Sequence, residues 1–463
     1  MCAKNISRRQ ALKTLGILPI GLSLGSTALA NANFEEKELT YESLYRTNLK
    51  PEKKVTAIVL GAGDRGRIYS GYATLHPDEF DVVGVAEPIE IRRKRFSEKH
   101  QIAKENQFHT WEDVFKTAKF ADAIIVTTPD NLHYGPAMKA LEMGYDLLLE
   151  KPIAPTWKEC KDILDQATKY NRIVAVCHVL RYAPYFRKIK EVIESGALGK
   201  VVSMQHMEPI EHVHMSHSYV RGNWRNSDET TPILLAKSCH DLDIMRWWLD
   251  EKCTKITAFG ALTLFKKENA PEGSTKRCTD GCAIEKECPY SALKIYHRKK
   301  SWLHHFDLSE DKSKHDDEIM KLLKEGPYGR CVYHSDNNQP DHMVVSMQFD
   351  KEITANFNLE AFTHDGGRKT RVMGTMGYIE GDGTEMIVAD FKTDKITKWN
   401  VNEHYEGLSG HGGGDMALAK DFIMAVSKQD PSLLTSTLKV SMDSHYMGYM
   451  AEKSRHNGEI VTL

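Results

Sequence analysis

Three glycines, Gly61, Gly63 and Gly66, stand in G-x-G-x-x-G spacing within KVTAIVLGAGDRGRIYSGY, directly after an apolar run. The first permits a tight turn, the second lets backbone approach a pyrophosphate, and the third lets a following helix pack closely on the strand. Ala62, Asp64 and Arg65 complete a loop whose unpaired N–H groups and helix dipole suit a diphosphate. Glu87 ends the next apolar run, 21 residues after Gly66. A carboxylate there accepts both ribose hydroxyls and repels a 2′-phosphate, so the spacing predicts NAD rather than NADP, with the nearby Arg92 and Arg93 arguing the other way.

Two later loops add polar groups to the same edge. TTPDNLHYG offers Thr128, Pro129, Asn131 and His133, and EKPIAPT offers Glu150 and Lys151 ahead of Pro152. The proline keeps Lys151 out of helix, and a cis bond would turn the lysine from the strand into a cleft. HVLRYAPYF puts His178, Arg181 and Tyr182 at a hinge, where Arg181 is expected to reach cofactor and the other two substrate. His411, in GHGGGD, lies in a glycine loop that either closes over substrate or simply leads into a helix near Asp415.

Other clusters leave alternatives open. EPIEHVHMSHSYVRGNWRN gathers His212, His214 and His217 beside Glu208 and Glu211. An extended H-x-H puts both rings on one side, which suits a metal; the other reading is a carbohydrate-contacting loop that includes Trp224 and Arg225. Of nine cysteines, Cys160, Cys177, Cys239 and Cys253 sit in apolar patterns as isolated thiols. Cys278, Cys282 and Cys288 form C-x3-C-x5-C, with Cys331 further on. Structural zinc, a disulfide pair and free thiols all fit, zinc being favoured because a long polar insertion needs something to order it. Arg8 and Arg9 precede the modest apolar run TLGILPIGLSLGSTALA, the pattern of a twin-arginine export signal, with small residues for cleavage near Ala30 to Ala32. That route carries folded proteins. It predicts a periplasmic or otherwise exported chain with no stable membrane insertion once the signal is removed.

The elements that must position these groups follow from patterning. The 463 residues carry 62 basic and 64 acidic side chains, with no like-charge block of the sort that contacts nucleic acid. Residues 1–33 read as the signal and 34–53 as a linker. Residues 54–180 alternate short apolar runs with helical segments, an α/β domain with a doubly wound parallel sheet. Residues 181–463 read as a second α/β domain with a large, mostly antiparallel open sheet, carrying a cysteine-bearing insertion at about 266–340. An open sheet face predicts a homodimer or homotetramer.

GAGDRG, TTPDNLH, EKPIAPT, ESGALGKVVSM, CHDLDIMRWW, GTMGYIEGD, GHGGGDMALAKDF and AEKSRHNGEIV together resemble the Gfo/Idh/MocA family (glucose–fructose oxidoreductase and inositol dehydrogenase) from about residue 54 to the C-terminus. The resemblance implies a Rossmann domain, oligomer contacts through the open sheet, and NAD(P)-dependent chemistry on hydroxyls of sugars and cyclitols. It implies that Lys151 touches both nicotinamide ribose and substrate, and that His240 is proton acceptor or substrate ligand. An imidazole suits that proton near neutral pH, and an amine beside a cationic ring suits a developing alkoxide. Many relatives carry aspartate four residues before the histidine; Ala236 stands there, with Lys237 beside it, so an amine is expected to replace a carboxylate in the pocket.

Export and resemblance together predict a sugar or glycoside oxidoreductase with tightly bound NAD. It would act on a ring hydroxyl, carbon three being a natural candidate, and return the hydride in the same pocket. The alternatives are an NAD-dependent glycosidase working by transient oxidation, elimination and re-reduction, and a non-catalytic NAD-containing sugar-binding protein.

Overall fold

The computed structural model describes residues 45–46, 49–405, 408 and 410–463. The expected signal and most of the expected linker lie outside the described residues. Six strands, β1 (Val55–Leu60), β2 (Phe80–Ala86), β3 (Gln107–Phe108), β4 (Ala123–Val126), β5 (Asp146–Leu149) and β6 (Val174–Val176), form a parallel sheet in the order β3-β2-β1-β4-β5-β6. β4 and β5 are buried at every position, which is why AIIV and DLLL show no alternation. Strand order reverses between β1 and β4, and a crevice for ligands opens there at the carboxyl edge. Helix Trp157–Lys169, on this domain, starts at a reciprocal cap: Glu159 N–H donates to the Thr156 hydroxyl (3.2 Å) and Thr156 N–H to the Glu159 carboxylate (3.1 Å).

The second sheet has nine strands: β7 (Val201–Pro209), β8 (Cys253–Ala261), β9 (His342–Phe349), β10 (Thr354–Glu360), β11 (Lys369–Gly374), β12 (Gly377–Gly381), β13 (Glu385–Asp390), β14 (Lys395–Asn400) and β15 (Val461–Thr462). Their order is β14-β13-β12-β11-β7-β10-β9-β8-β15, antiparallel except between β7 and β10. Burial alternates along β9 and β10, so one face meets a core that includes Trp248, Phe186 and Met447, while the other stays open. No helix among the described residues is long and apolar enough to cross a membrane.

The expected boundary at residue 180 is crossed a second time. Helix Gly414–Lys428 contributes Ala417, Phe422 and Val426 to the same core as Val55, Val59 and Tyr69 of the first domain. Leu438 and Met442 join Ile58 and Leu147. The chain's late part therefore completes the nucleotide domain. The insertion is less irregular than its sequence suggests, with helix His315–Glu325 and a small core of its own built on Ile295, Tyr296, Phe306, Ile319 and Leu323.

Candidate functional site

Gly61 has φ +95°, and a Cβ there would lie 2.6 Å from the Thr127 carbonyl oxygen. A Cβ on Gly66 would lie 2.2 Å from the Gly61 carbonyl oxygen. Only glycine allows the loop to come this close to β4 and to itself. Helix Asp64–Leu75 begins at Gly63 with no side-chain cap, leaving its first N–H groups for an anion. Glu87 accepts from Ala62 N–H (2.8 Å) and Ile89 N–H (2.9 Å), so its carboxylate is fixed at the lip of the glycine loop. Arg92 is occupied by Asp307 (2.9 and 3.0 Å) and Arg93 by the Glu87 carbonyl, which removes the guanidinium groups that argued for a 2′-phosphate. This cradle fits a dinucleotide. Gly66→Ala forces a Cβ against backbone, at a cost of about 1–3 kcal/mol, and is expected to weaken NAD binding about 10- to 100-fold by calorimetric titration without unfolding the protein.

Nothing in the residue pattern signals that the insertion reaches this loop. His305 Nδ1 lies 3.1 Å, and His304 Nε2 3.7 Å, from Asp64 Oδ2, and Arg95 donates to the Leu308 carbonyl (2.8 Å). Against burial, which opposes it, the His305 hydrogen bond holds the Asp64 carboxyl down to about 2. With the Arg92–Asp307 pair, these contacts lay residues 304–308 as a strap across the nucleotide crevice.

Several expected ligand residues turn out to build the walls. The His133 ring nitrogens lie 2.7 Å from the Pro152 carbonyl and 3.0 Å from that of Thr128, tying the two edge loops together. Asn131 donates to the Glu229 carbonyl (3.1 Å) and the Thr128 hydroxyl to that of Leu132 (3.1 Å); Pro129 leads into this turn. Arg65 is held by Glu150 (2.5 Å) and Asp415 (2.6 Å), and Glu150 also takes Tyr69 O–H and Lys151 N–H (both 2.8 Å). Arg181 does not reach cofactor: it forks onto Asp243 (2.6 and 2.7 Å) and donates to the Thr435 carbonyl (2.6 Å). Tyr182 does not reach substrate: its hydroxyl oxygen accepts from Thr435 and Ser436 N–H (both 3.2 Å). Both residues anchor the returning C-terminal segment.

The cleft itself brings together Lys151, His240, His178 and His411. The Lys151–Pro152 bond is cis, and Lys151 Nζ donates to the Ala236 carbonyl (2.6 Å). His240, on helix Cys239–Leu249, is 4% exposed, yet neither ring nitrogen has a hydrogen-bond partner. Its ring centroid is 5.4 Å from that of His411 and 6.2 Å from that of His178. Burial first, then the charges of Lys151 and His411, keep its pKa well below the ordinary histidine value, so the ring is neutral with an open lone pair and N–H. A buried polar group without a partner costs about 1–3 kcal/mol, which a substrate hydroxyl would relieve. His411 Nδ1 stands 3.2 Å from both Asp415 oxygens.

Lys237 stands beside a carboxylate from β7. Lys237 Nζ lies 3.1 Å from Glu208 Oε1, and Arg368 bridges Glu208 (2.9 Å) to Asp241 (2.6 Å). Arg368, from the loop before β11, escaped the sequence reading. The histidine stretch is helical over His212–His214 and coils on through Arg221, so His212 and His214 share no side and form no metal pair. His217 bonds Tyr296 O–H (2.8 Å), and Trp302 packs on His217 and His214 (centroids 4.7 and 4.8 Å). Trp224 packs against Tyr219, and Arg225 pairs with Asp336 (2.7 and 3.0 Å).

Burial depresses His178 to about 3, His445 to about 4 and His217 to about 2, from 6.5. Below pH 6.5 the unfolded chain binds protons that the folded one refuses, so stability falls as pH drops. Each of these rings is expected to cost about 2 kcal/mol by pH 5. The thermal midpoint should fall by several degrees between about pH 7.5 and pH 5; a flat profile would contradict the neutral buried rings.

Comparison with known proteins follows this geometry. The family model described as "Oxidoreductase family, NAD-binding Rossmann fold" matches residues 55–178, and "Oxidoreductase family, C-terminal alpha/beta domain" matches 190–463. The oxidoreductase YteT of Bacillus subtilis (strain 168) is 24% identical over 347 residues, 72% of this chain and 79% of that protein. Inositol 2-dehydrogenase/D-chiro-inositol 3-dehydrogenase of Lacticaseibacillus casei is 30% identical over 138 residues, 29% of this chain and 36% of that protein. A solved levoglucosan dehydrogenase, in complex with NADH and L-sorbose, shares the fold at TM-score 0.65 and 16% identity, over 89% of this chain and 99% of that one.

Proposed function

Because the chain belongs to the Gfo/Idh/MocA oxidoreductase family, we propose that it oxidises a ring hydroxyl of a sugar or glycoside, at carbon three by preference, with NAD retained through turnover. The observation that carries this reading is the neutral, unpartnered His240 ring facing a cleft that also holds the Lys151 ammonium. The Gly61–Gly66 loop would hold the diphosphate and Glu87 the ribose hydroxyls, which favours NAD over NADP. Bound NAD supplies the hydride acceptor and, on the return, the donor. His240 takes the proton of the reacting hydroxyl, and Lys151 faces the negative charge that develops on that oxygen. His411 and Asp415 lie beside His240, and the His411 side chain, 34% exposed, gives the proton a way to solvent. Glu208, Lys237 and Arg368 orient the other hydroxyls.

The strap over Asp64 and Arg92 supports retention of the nucleotide, and the arginine pair at Arg8 and Arg9 supports export of the folded, loaded enzyme. NAD retained in this way would let one pocket both take the hydride and give it back, to an intermediate or a second substrate. The open face of the nine-stranded sheet supports a homodimer or homotetramer.

The test is to denature purified protein and quantify released nucleotide, then to present glucosides, galactosides and free sugars while following both NADH absorbance and sugar products. The expected result is about one nucleotide per chain and a ketosugar or rearranged product without net NADH. Sustained NADH accumulation on added NAD would refute retention. Bound nucleotide with no product from any of these compounds would refute the oxidoreductase reading.

A further inference from the structure

The function proposed above leaves Cys278, Cys282, Cys288 and Cys331 unused. Fifty-two residues of chain separate the first from the last, yet all four line one small cavity with Arg221. Backbone pairing brings them there: Cys278 N–H donates to the Gly329 carbonyl (3.0 Å) and Cys331 N–H to that of Lys276 (2.9 Å). None is in a disulfide.

Arg221 makes the cavity more than a meeting of thiols. Its side chain is 1% exposed, and it donates to the carbonyls of Arg330 (2.7 Å) and Tyr290 (2.6 Å). The amine that bonds Tyr290 lies 4.0 Å from the Cys278 sulfur, while its other terminal amine has no partner. Ala292 N–H also donates to the Cys278 sulfur (3.4 Å). A buried guanidinium with a free N–H, beside a sulfur that already accepts from backbone, calls for a negatively charged centre. The Glu285 carboxylate, which also lines the cavity, is taken by Arg298 and Ser291.

The spacing decides what that centre is. Zinc draws thiolates to about 2.3 Å from one point, which sets sulfurs less than about 4 Å apart. Among the described residues, three ligand atoms come within 4.8 Å of one another at Asp64, His304 and His305, and no trio of these sulfurs does. The cavity leaves the centre of a water-sized sphere about 10 Å³ to occupy. A sphere of that size touching sulfur sits roughly 3 Å from it, too far for a single zinc ion. We propose that Cys278, Cys282, Cys288 and Cys331 ligate an iron–sulfur cluster of the four-iron kind, with Arg221 and the Ala292 N–H as its charge-compensating donors. This replaces the zinc favoured from the cysteine spacing. The cluster joins the insertion's own core, to which Cys278 belongs, to the main core, to which Cys331 belongs. It thereby fixes the base of the strap that crosses the nucleotide loop.

The full chain, purified anaerobically and reconstituted with ferrous iron and sulfide, is expected to be brown and to carry about four iron and four acid-labile sulfide per chain. Dithionite should bleach its visible absorbance. Cys278→Ser and Cys331→Ser should each lose most of the iron while still binding NAD, which separates this result from any failure of the sugar chemistry. One zinc without sulfide, or no metal with four thiols open to alkylation, would overturn the proposal. If either variant does not fold, the iron and sulfide counts of the unaltered chain decide.

Discussion

Lys151→Met is expected to lower kcat/KM for the sugar or polyol substrate by about 10³- to 10⁴-fold while leaving nucleotide bound. Methionine keeps the unbranched, apolar length of the side chain and removes only the charge and the donor to the Ala236 carbonyl. The interaction lost is strongest when the reacting oxygen is most negative, so the fall should appear in kcat rather than KM. Nucleotide content, measured on the same sample after denaturation, should be unchanged. A loss smaller than tenfold would remove Lys151 from the chemistry.

His240→Leu should separate activity from stability in opposite directions. The ring's two nitrogens are buried without partners, a state that a leucine of similar bulk avoids. The variant is expected to be more stable by about 1–2 kcal/mol and to lose about 10²- to 10⁴-fold in kcat. Thermal melting and steady-state kinetics on one preparation read both. Combined with Lys151→Met, the losses should fall well short of multiplying, because the two groups act on one proton and one oxygen. A destabilised His240→Leu would mean that the ring is packed for structure.

Local chemistry was legible in the sequence where neighbours along the chain are neighbours in space. The glycine loop with Glu87, and the E-K-P loop with its lysine, are of this kind. Legibility failed wherever a partner comes from far away. Arg181 and Tyr182 follow the last strand of the first sheet and so read as cleft residues, but their partners, Asp243 and the backbone at 435–436, lie 62 and about 254 residues on. Glu208, which pairs with Lys237, and Arg368, which bridges onward to Asp241, come from opposite sides of the insertion. The histidine stretch stays ambiguous in the sequence because H-x-H says nothing about whether the backbone is extended or helical. β13 and β14 give little signal because EMIVAD and KITKWN form the exposed end of the sheet, β14 as its edge, with weak apolar contrast.

The placement of helix Gly414–Lys428 against Val55, Val59 and Tyr69 also bears on how the molecule is made. Synthesis runs from the N-terminus, so the first 180 residues leave the ribosome with one side of their core bare. They stay so until more than 230 further residues have been added and the missing helix arrives. Early domains usually fold while later ones are still being synthesised, but this one is kept waiting by topology, and such distant closures are slow. A chain stopped short of residue 414 exposes apolar surface to chaperones and proteases, so quality control acts on the same event that finishes the nucleotide domain. The nucleotide domain is therefore complete only once helix Gly414–Lys428 has been made.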